Sequence, residues 1–171
     1  MDRIDEIDVT ILELLQDNGR MKRNAIAEIV GLSVPSVSER MRKLEERGVI
    51  RGYHAVVNPK RLHFDITAFV RVTIDGSSYY PEFVEQLCAM PEVLEVHSIT
   101  GEGSHIVKIR TRNTTTLERF LSKVQAVPGV QGTSTSIVLS TFKETRTIQP
   151  HPMELAELES DEDLEEELRT A

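Results

Sequence analysis

The sequence predicts an α+β chain, a head of three short helices followed by a βαββαβ sandwich. Three observations carry this reading. Apolar residues recur at helical spacing through the first 47 residues and then at alternating, strand-like spacing in four later segments. Those segments interleave with two further helical stretches in the order strand, helix, strand, strand, helix, strand. The junctions Ala89-Met90-Pro91-Glu92-Val93 and Ala126-Val127-Pro128-Gly129-Val130 share one pattern of helix end, proline stop and strand start, a weak internal repeat.

In the head, Ile4, Ile7, Ile11, Leu14 and Leu15 lie on one helical face, and Asn18-Gly19, tolerant of left-handed backbone, supplies the stop. A short second helix fits residues 24–30, with Ile26, Ile29 and Val30 apolar and Gly31 at the sharp turn behind it. Ser33 caps a third helix. Pro35 is tolerated in its first turn because its missing N–H has no partner there; Val34, Val37, Met41 and Leu44 make its apolar stripe, and Gly48 ends it. Helix, short helix, Gly-containing turn and capped helix is the order of a helix-turn-helix, whose last helix enters the major groove of double-stranded DNA.

The face opposite the stripe carries Pro35, Ser36, Glu39, Arg42, Lys43 and Glu46, flanked by Ser38 and Arg40. Hydroxyls on short side chains allow close approach, the helix N-terminus favours phosphate, and long cations further on reach base acceptors. The candidate DNA contacts are therefore Ser33, Pro35, Ser36, Ser38, Glu39, Arg40, Arg42 and Lys43. A charged helix face is by default only a solvated one, but here turn, cap and local charge coincide. Although the 171-residue chain carries a net charge of −8, residues 20–61 hold ten Lys or Arg against four Glu, a local +6. Residues 150–171 hold nine acids and one Arg, so the acidic balance of the whole is largely an effect of the tail.

Residues 49–57 alternate through Ile50, Tyr53, Ala55 and Val57 before Asn58-Pro59, the pattern of a strand serving as tether and hinge. The sandwich then reads as strand 67–74, helix 81–90 with Phe83, Val84, Leu87 and Met90 on one face, strand 93–100, and strand 105–112 through Ile106, Lys108 and Arg110. A capping box of Thr115 with Glu118 opens a helix whose apolar face is Leu117, Phe120, Leu121 and Val124, and residues 130–141 close the sheet. This is a ferredoxin-like order, with both helices on one sheet face and the other left for a partner, so a homodimer is expected. The implied division is 1–50 for the helix-turn-helix, 51–63 for linker strand and hinge, 64–148 for a regulatory and oligomerisation domain, and 149–171 for an acidic tail, disordered or a frayed helix.

Having no apolar run near the roughly 20 residues of a membrane span and no signal-peptide pattern, the chain is expected to be cytoplasmic, without a membrane partner. Cys88 stands alone, which suits a reducing compartment, and is expected to pack within its helix. His54, His63, His97, His105 and His151 lack metal-ligand spacing, and no nucleophile with a base, carboxylate pair or phosphate-cradling loop is evident. Neither an enzyme nor a cofactor is expected.

The segments Asp5-Glu6-Ile7-Asp8 with Ile11-Leu12, Gly31-Leu32-Ser33, Val37 through Glu45, and Gly48-Val49-Ile50 resemble the Lrp/AsnC, or feast/famine, family of transcriptional regulators, and the likeness extends over residues 1–148. The resemblance implies DNA binding by the third helix and a C-terminal sandwich that forms dimers and higher homo-oligomers. It also implies an amino-acid effector near a Thr-Gly-Asp-x-Asp loop. Here the loop reads Thr100-Gly101-Glu102-Gly103-Ser104-His105, making Gly101, Glu102, Gly103 and Ser104 the candidate effector residues, with Ser104 where the second Asp is expected. Exchanging that carboxylate for a hydroxyl removes a charge-assisted bond of roughly 1.5–3 kcal/mol. The loop is expected either to take a ligand making fewer charged contacts or to be a Gly-rich turn at a subunit contact. The competing reading of the whole chain is a ligand-binding regulatory sandwich that acts through protein partners without DNA.

Overall fold

The structure, a computed structural model, describes residues 3–154. The described residues form two compact units, the head up to Val56 together with the segment from Glu144 onward, and a second unit of Val57–Lys143.

In the head, α1 (Glu6–Asp17) begins at a reciprocal capping box in which Asp5 accepts from the Asp8 backbone and Asp8 from the Asp5 backbone. α2 (Arg23–Val30) ends at a left-handed Gly31, and α3 (Val34–Glu46) is capped by Ser33 with Pro35 in its first turn. Ile11, Ile26, Val37, Met41 and Leu44 meet at the centre of their core. Two apolar residues expected on the inner stripes lie outside it. Ile29 is exposed because the two-turn α2 gives the core only Ile26 and Ala27, and Val34 is exposed at the first position of α3, ahead of Val37. The stop after α1 is not left-handed either: Asn18 is extended, and its N–H returns to the Leu14 carbonyl.

Two features of the head have no counterpart in the sequence pattern. β1 (Arg3–Ile4) pairs antiparallel with β6 (Met153–Glu154), with Arg3 opposite Glu154 and Ile4 opposite Met153. The same returning segment is held at α1, where Gln16 Nε2 donates to the Ile148 carbonyl at 3.0 Å and the Ile148 N–H donates to Gln16 Oε1 at 2.9 Å. The expected tail thus has a described beginning, whereas its acidic runs at 161–163 and 165–167 lie outside the described residues. The tether strand expected over 49–57 does not form. Residues 51–58 have no regular structure and Val56 and Val57 are exposed, because alternation without a partner ladder leaves the backbone groups to water.

The second unit contains β2 (Ile66–Ile74), α4 (Tyr80–Cys88), β3 (Val93–Ser98), β4 (His105–Thr111), α5 (Thr114–Gln125) and β5 (Val130–Ile137). Its four strands form an antiparallel sheet in the order β3-β4-β2-β5, the ferredoxin-like arrangement. Ala68, Val70, Val72, Val107 and Ile109 point to the helices and pack on Phe83, Leu87, Leu117, Phe120 and Val124. The alternation read through Ile106, Lys108 and Arg110 belongs to the opposite face. α5 is capped by Asn113 with Thr116 rather than by Thr115 with Glu118, since the helix begins two residues earlier. β5 stops at Ile137, four residues short of expectation, and Leu139 beyond it is exposed. Cys88 is also exposed: it follows Leu87 by about 100° around α4, away from the Phe83–Leu87 face.

Candidate nucleic-acid interface

α3 is set by its cap. Ser33 Oγ accepts the Ser36 N–H at 3.3 Å and lies 2.8 Å from Ser36 Oγ, so the two hydroxyls share one end of the helix. With Val37, Met41 and Leu44 buried, Ser33, Pro35, Ser36, Glu39, Arg42 and Lys43 are exposed, whereas Ser38 and Arg40 are half-buried at the edges.

The cations differ in their partners. Arg42 grips Glu39 with two bonds, Nη2 to Oε1 at 2.6 Å and Nε to Oε2 at 3.0 Å, and its Nη1 pairs with Glu46. Its hydrogen bonds to Glu39 and Glu46 hold the guanidinium firmly protonated, and the Arg42 bond keeps the Glu39 carboxyl below the usual range. Lys43 reaches the same Glu39 at 3.8 Å. The outer face is thus a mixed row of hydroxyls and exchangeable ion pairs. Arg40 turns the other way, with Nη1 at 2.8 Å from both Asp5 Oδ2 and Asp8 Oδ1. Burial works against the charges of Arg40 and Asp5, yet the hydrogen bonds win: the Arg40 pKa is raised and the Asp5 pKa lowered. Arg40 therefore ties α3 to the capping box of α1.

Three residues not counted among the candidate DNA contacts border this face. Arg3 and Arg47 line a cleft of about 420 Å³ with Ser36, Glu39 and Lys43. Tyr53, read as a strand residue, donates from its hydroxyl to Glu45 Oε1 at 2.9 Å, and burial with that carboxylate pushes its phenol up to about 12. The basic surplus of residues 20–61 hinted at Arg47, whereas Arg3 stands among Asp2, Asp5, Glu6 and Asp8 and had no such signal.

In the second unit, the loop between β3 and β4 is closed by the Ile99 N–H on the Ser104 carbonyl and the Ser104 N–H on the Val72 carbonyl. The Ser104 hydroxyl lies 3.2 Å from the Val72 carbonyl and 3.0 Å from His105 Nδ1, so it is engaged within the sheet. Gly103 has φ +82°, and a Cβ there would meet the Arg71 side chain at 2.7 Å. Glu102 is exposed and faces Arg71 Nη1 at 3.4 Å, and Gly101 stands beside it in open space. The loop's one carboxylate is thereby available on the surface.

Among the described residues, no group of three His, Cys, Asp or Glu is placed to hold a metal, and no helix is long and apolar enough to cross a membrane. Residues 4–51 match the winged helix-turn-helix DNA-binding family, and residues 67–148 match the Lrp/AsnC ligand binding domain. The chain is 41% identical over 142 residues to the HTH-type transcriptional regulator FL11 of Pyrococcus horikoshii, covering 83% of this chain and 93% of that protein. It is similar in structure to E. coli AsnC, with a TM-score of 0.80 at 32% identity over 86% of this chain and 99% of that one. A transcriptional regulator of Neisseria meningitidis in complex with L-Met gives 0.80 at 30% identity, covering 85% and 96%. Head, sandwich and relatives agree: the chain belongs to the Lrp/AsnC family of DNA-binding transcriptional regulators.

Proposed function

We propose that α3 lies in the major groove with Ser36, Glu39 and Arg42 at base edges and Lys43 on the phosphates, in a cytoplasmic homo-oligomer that regulates transcription without catalysis. The single observation that supports this docking is the Ser33-capped helix presenting Pro35, Ser36, Glu39, Arg42 and Lys43 together, outward from a closed core. Arg42 must exchange Glu39 and Glu46 for a guanine edge, which is feasible because exposed ion pairs are weak. Arg40 contributes by orienting the helix. For the sandwich, the reading is an amino-acid effector at the β3–β4 loop, its ammonium taken by Glu102 and its carboxylate by backbone N–H groups near Gly101 and Gly103. The L-Met complex of the Neisseria relative supports the ligand class, and the engaged Ser104 hydroxyl favours binding weaker than low micromolar.

Selection of duplexes from a random pool, with and without a panel of amino acids including L-methionine, tests both parts. One enriched, near-palindromic sequence is expected, with affinity that falls steeply as salt rises. Arg42→Ala should weaken that affinity about tenfold to a hundredfold while leaving the fold intact. Unchanged binding by folded Arg42→Ala would refute the docking, and low-micromolar binding of an amino acid in calorimetry would refute the account of the loop.

A further inference from the structure

Two stretches of chain join the head to the sandwich, and within each unit their ends lie together. In the sandwich one stretch runs into β2 and the other leaves β5, and the Val138 N–H donates to the Thr67 carbonyl at 2.9 Å, so the two are neighbours there. In the head both are fastened at the C-terminal end of α1. The Tyr53 ring lies over Gly19, where a Cβ would stand 3.9 Å from its Cδ1, and its hydroxyl donates to Glu45. Gln16, in the last turn of α1, holds both backbone groups of Ile148 through its side-chain amide, as a neighbouring strand would. Thr147, Gln149 and Pro150 line one cleft with Glu13 and Asp17 of the same helix. Between these fastenings, residues 54–58 and 139–147 are exposed and have no regular structure.

We propose that the two stretches act as a double tether, and that the Gln16 clamp on Ile148 is a positioning element that sets which half-site spacing the dimer accepts. A domain on one flexible tether swivels about it, whereas a second tether fastened beside the first at both ends removes that freedom and shortens the reach. From Val138 to Ile148 there are ten residue steps, roughly 33–36 Å when fully extended, against fourteen from Tyr53 to Thr67, roughly 46–50 Å. Once one head is bound, tether length and stiffness fix the effective concentration of the other at its half-site. Lengthening the spacer by half a helical turn carries that half-site to the opposite side of the duplex. A head on the longer single tether can follow it there, and a doubly tethered head cannot. Gln16 contacts no DNA in this scheme and acts only through the freedom it denies α3. Its role in spacing rests on the reading of α3 as the DNA-contacting helix of a dimer.

Three full-length proteins test this: the wild type, Gln16→Leu, which removes both amide bonds, and a chain with about ten Gly and Ser residues inserted between Phe142 and Lys143, which keeps the clamp but slackens the tether. Binding is followed by fluorescence anisotropy on the selected palindromic duplex, on the same duplex with its spacer lengthened by about five base pairs, and on a single half-site. The longer spacer should weaken wild-type binding about thirtyfold but that of either variant only about threefold to fivefold, while all three bind the single half-site alike. If Gln16→Leu also weakens half-site binding, the insertion, which leaves the contacts of the head in place, decides. Without DNA, 15N relaxation should give head and sandwich amides of the wild type one rotational correlation time, and the head amides of both variants a shorter one. Equal spacer penalties in the wild type and the insertion, or wild-type heads that already tumble independently, overturn the proposal. If the relaxation difference is found while none of the three binds any duplex, the double tether stands, and its role in spacing falls with the DNA reading.

Discussion

Arg40 shows how position on a helix wheel and actual role can part. Its guanidinium holds Asp5 and Asp8, the latter with a side chain only 9% exposed. Arg40→Met should cost about 1–2 kcal/mol in urea unfolding at pH 7, less than for a fully enclosed pair because water reaches part of the site. The Asp5 carboxyl titrates below its ordinary value in the folded chain, so its stabilising interactions are complete above that value and vanish as pH falls through the folded pKa. The gap between wild type and variant should therefore narrow below about pH 4. His105 is a second residue whose surroundings set its behaviour. It is 2% exposed, edge-on to Tyr80 at 4.7 Å and tilted against Phe83 at 5.0 Å, and burial depresses its pKa. A depressed folded value means that stability is greatest above the unfolded pKa of about 6.5 and declines as pH falls from there, by at most about 1.4 kcal/mol per unit. His105→Phe retains the ring contacts, so melting curves at pH 7.5 and 5.5 should lie closer together for the variant. Equal pH shifts in both proteins would assign the effect to other groups.

The two repeated junctions look alike in sequence but differ in what they demand. At the α5–β5 junction, Gly129 has φ +81°, its carbonyl accepts the Asp75 N–H at 2.8 Å, and a Cβ would meet Tyr79 Cγ at 2.4 Å. The corresponding residue before β3 is Glu92, whose Oε1 lies 3.6 Å from Lys123. Gly129→Ala should destabilise the sandwich by about 2 kcal/mol or more, from left-handed strain and the clash together. Gly132, further along β5, has open space and no positive φ, so Gly132→Ala should be within about 0.5 kcal/mol of wild type. Thermal unfolding of the two variants side by side checks this, and comparable losses would show that the junction geometry is not what limits the first.

Assembly turns on the sheet face opposite the helices. The register sets Phe69 between Lys108 of β4 and Ser136 of β5, and Arg71 between Ile106 and Ser134. Phe69 remains 38% exposed there, while Lys108 is drawn to Glu95 at 3.0 Å. A partner sheet laid on this face would cover the aromatic ring and keep the ion pair at its margin. Light scattering at micromolar concentration is expected to give a dimer or a multiple of one. Phe69→Glu should shift the protein toward monomer and weaken binding to a palindromic duplex more than to a single half-site. A monomeric wild type would remove the basis for the palindrome.

The order of helices and strands could be read along the chain because helical and strand periods are properties of near neighbours: Val37, Met41 and Leu44 mark the inner face of α3 whatever they pack on. The Ser33 cap was legible for the same reason, whereas the residues read along β4, Ile106, Lys108 and Arg110, lie on the face away from the helices. Features that depend on distant partners were not. A two-residue ladder between β1 and β6 has no period to detect, and its strands lie about 150 residues apart in sequence. The tether at 51–58 had the alternation of a strand but no neighbouring strand to bond, and α5 took its cap from Asn113, two residues from the one that the motif suggested. Among the candidate DNA contacts, the wheel separated outer from inner residues, but Arg40 sits at the boundary, and the carboxylates of another helix decided which way it turned. The spelling of the β3–β4 loop was likewise plain, whereas the engagement of Ser104 by Val72 and His105 depends on how strands 30 residues apart come together.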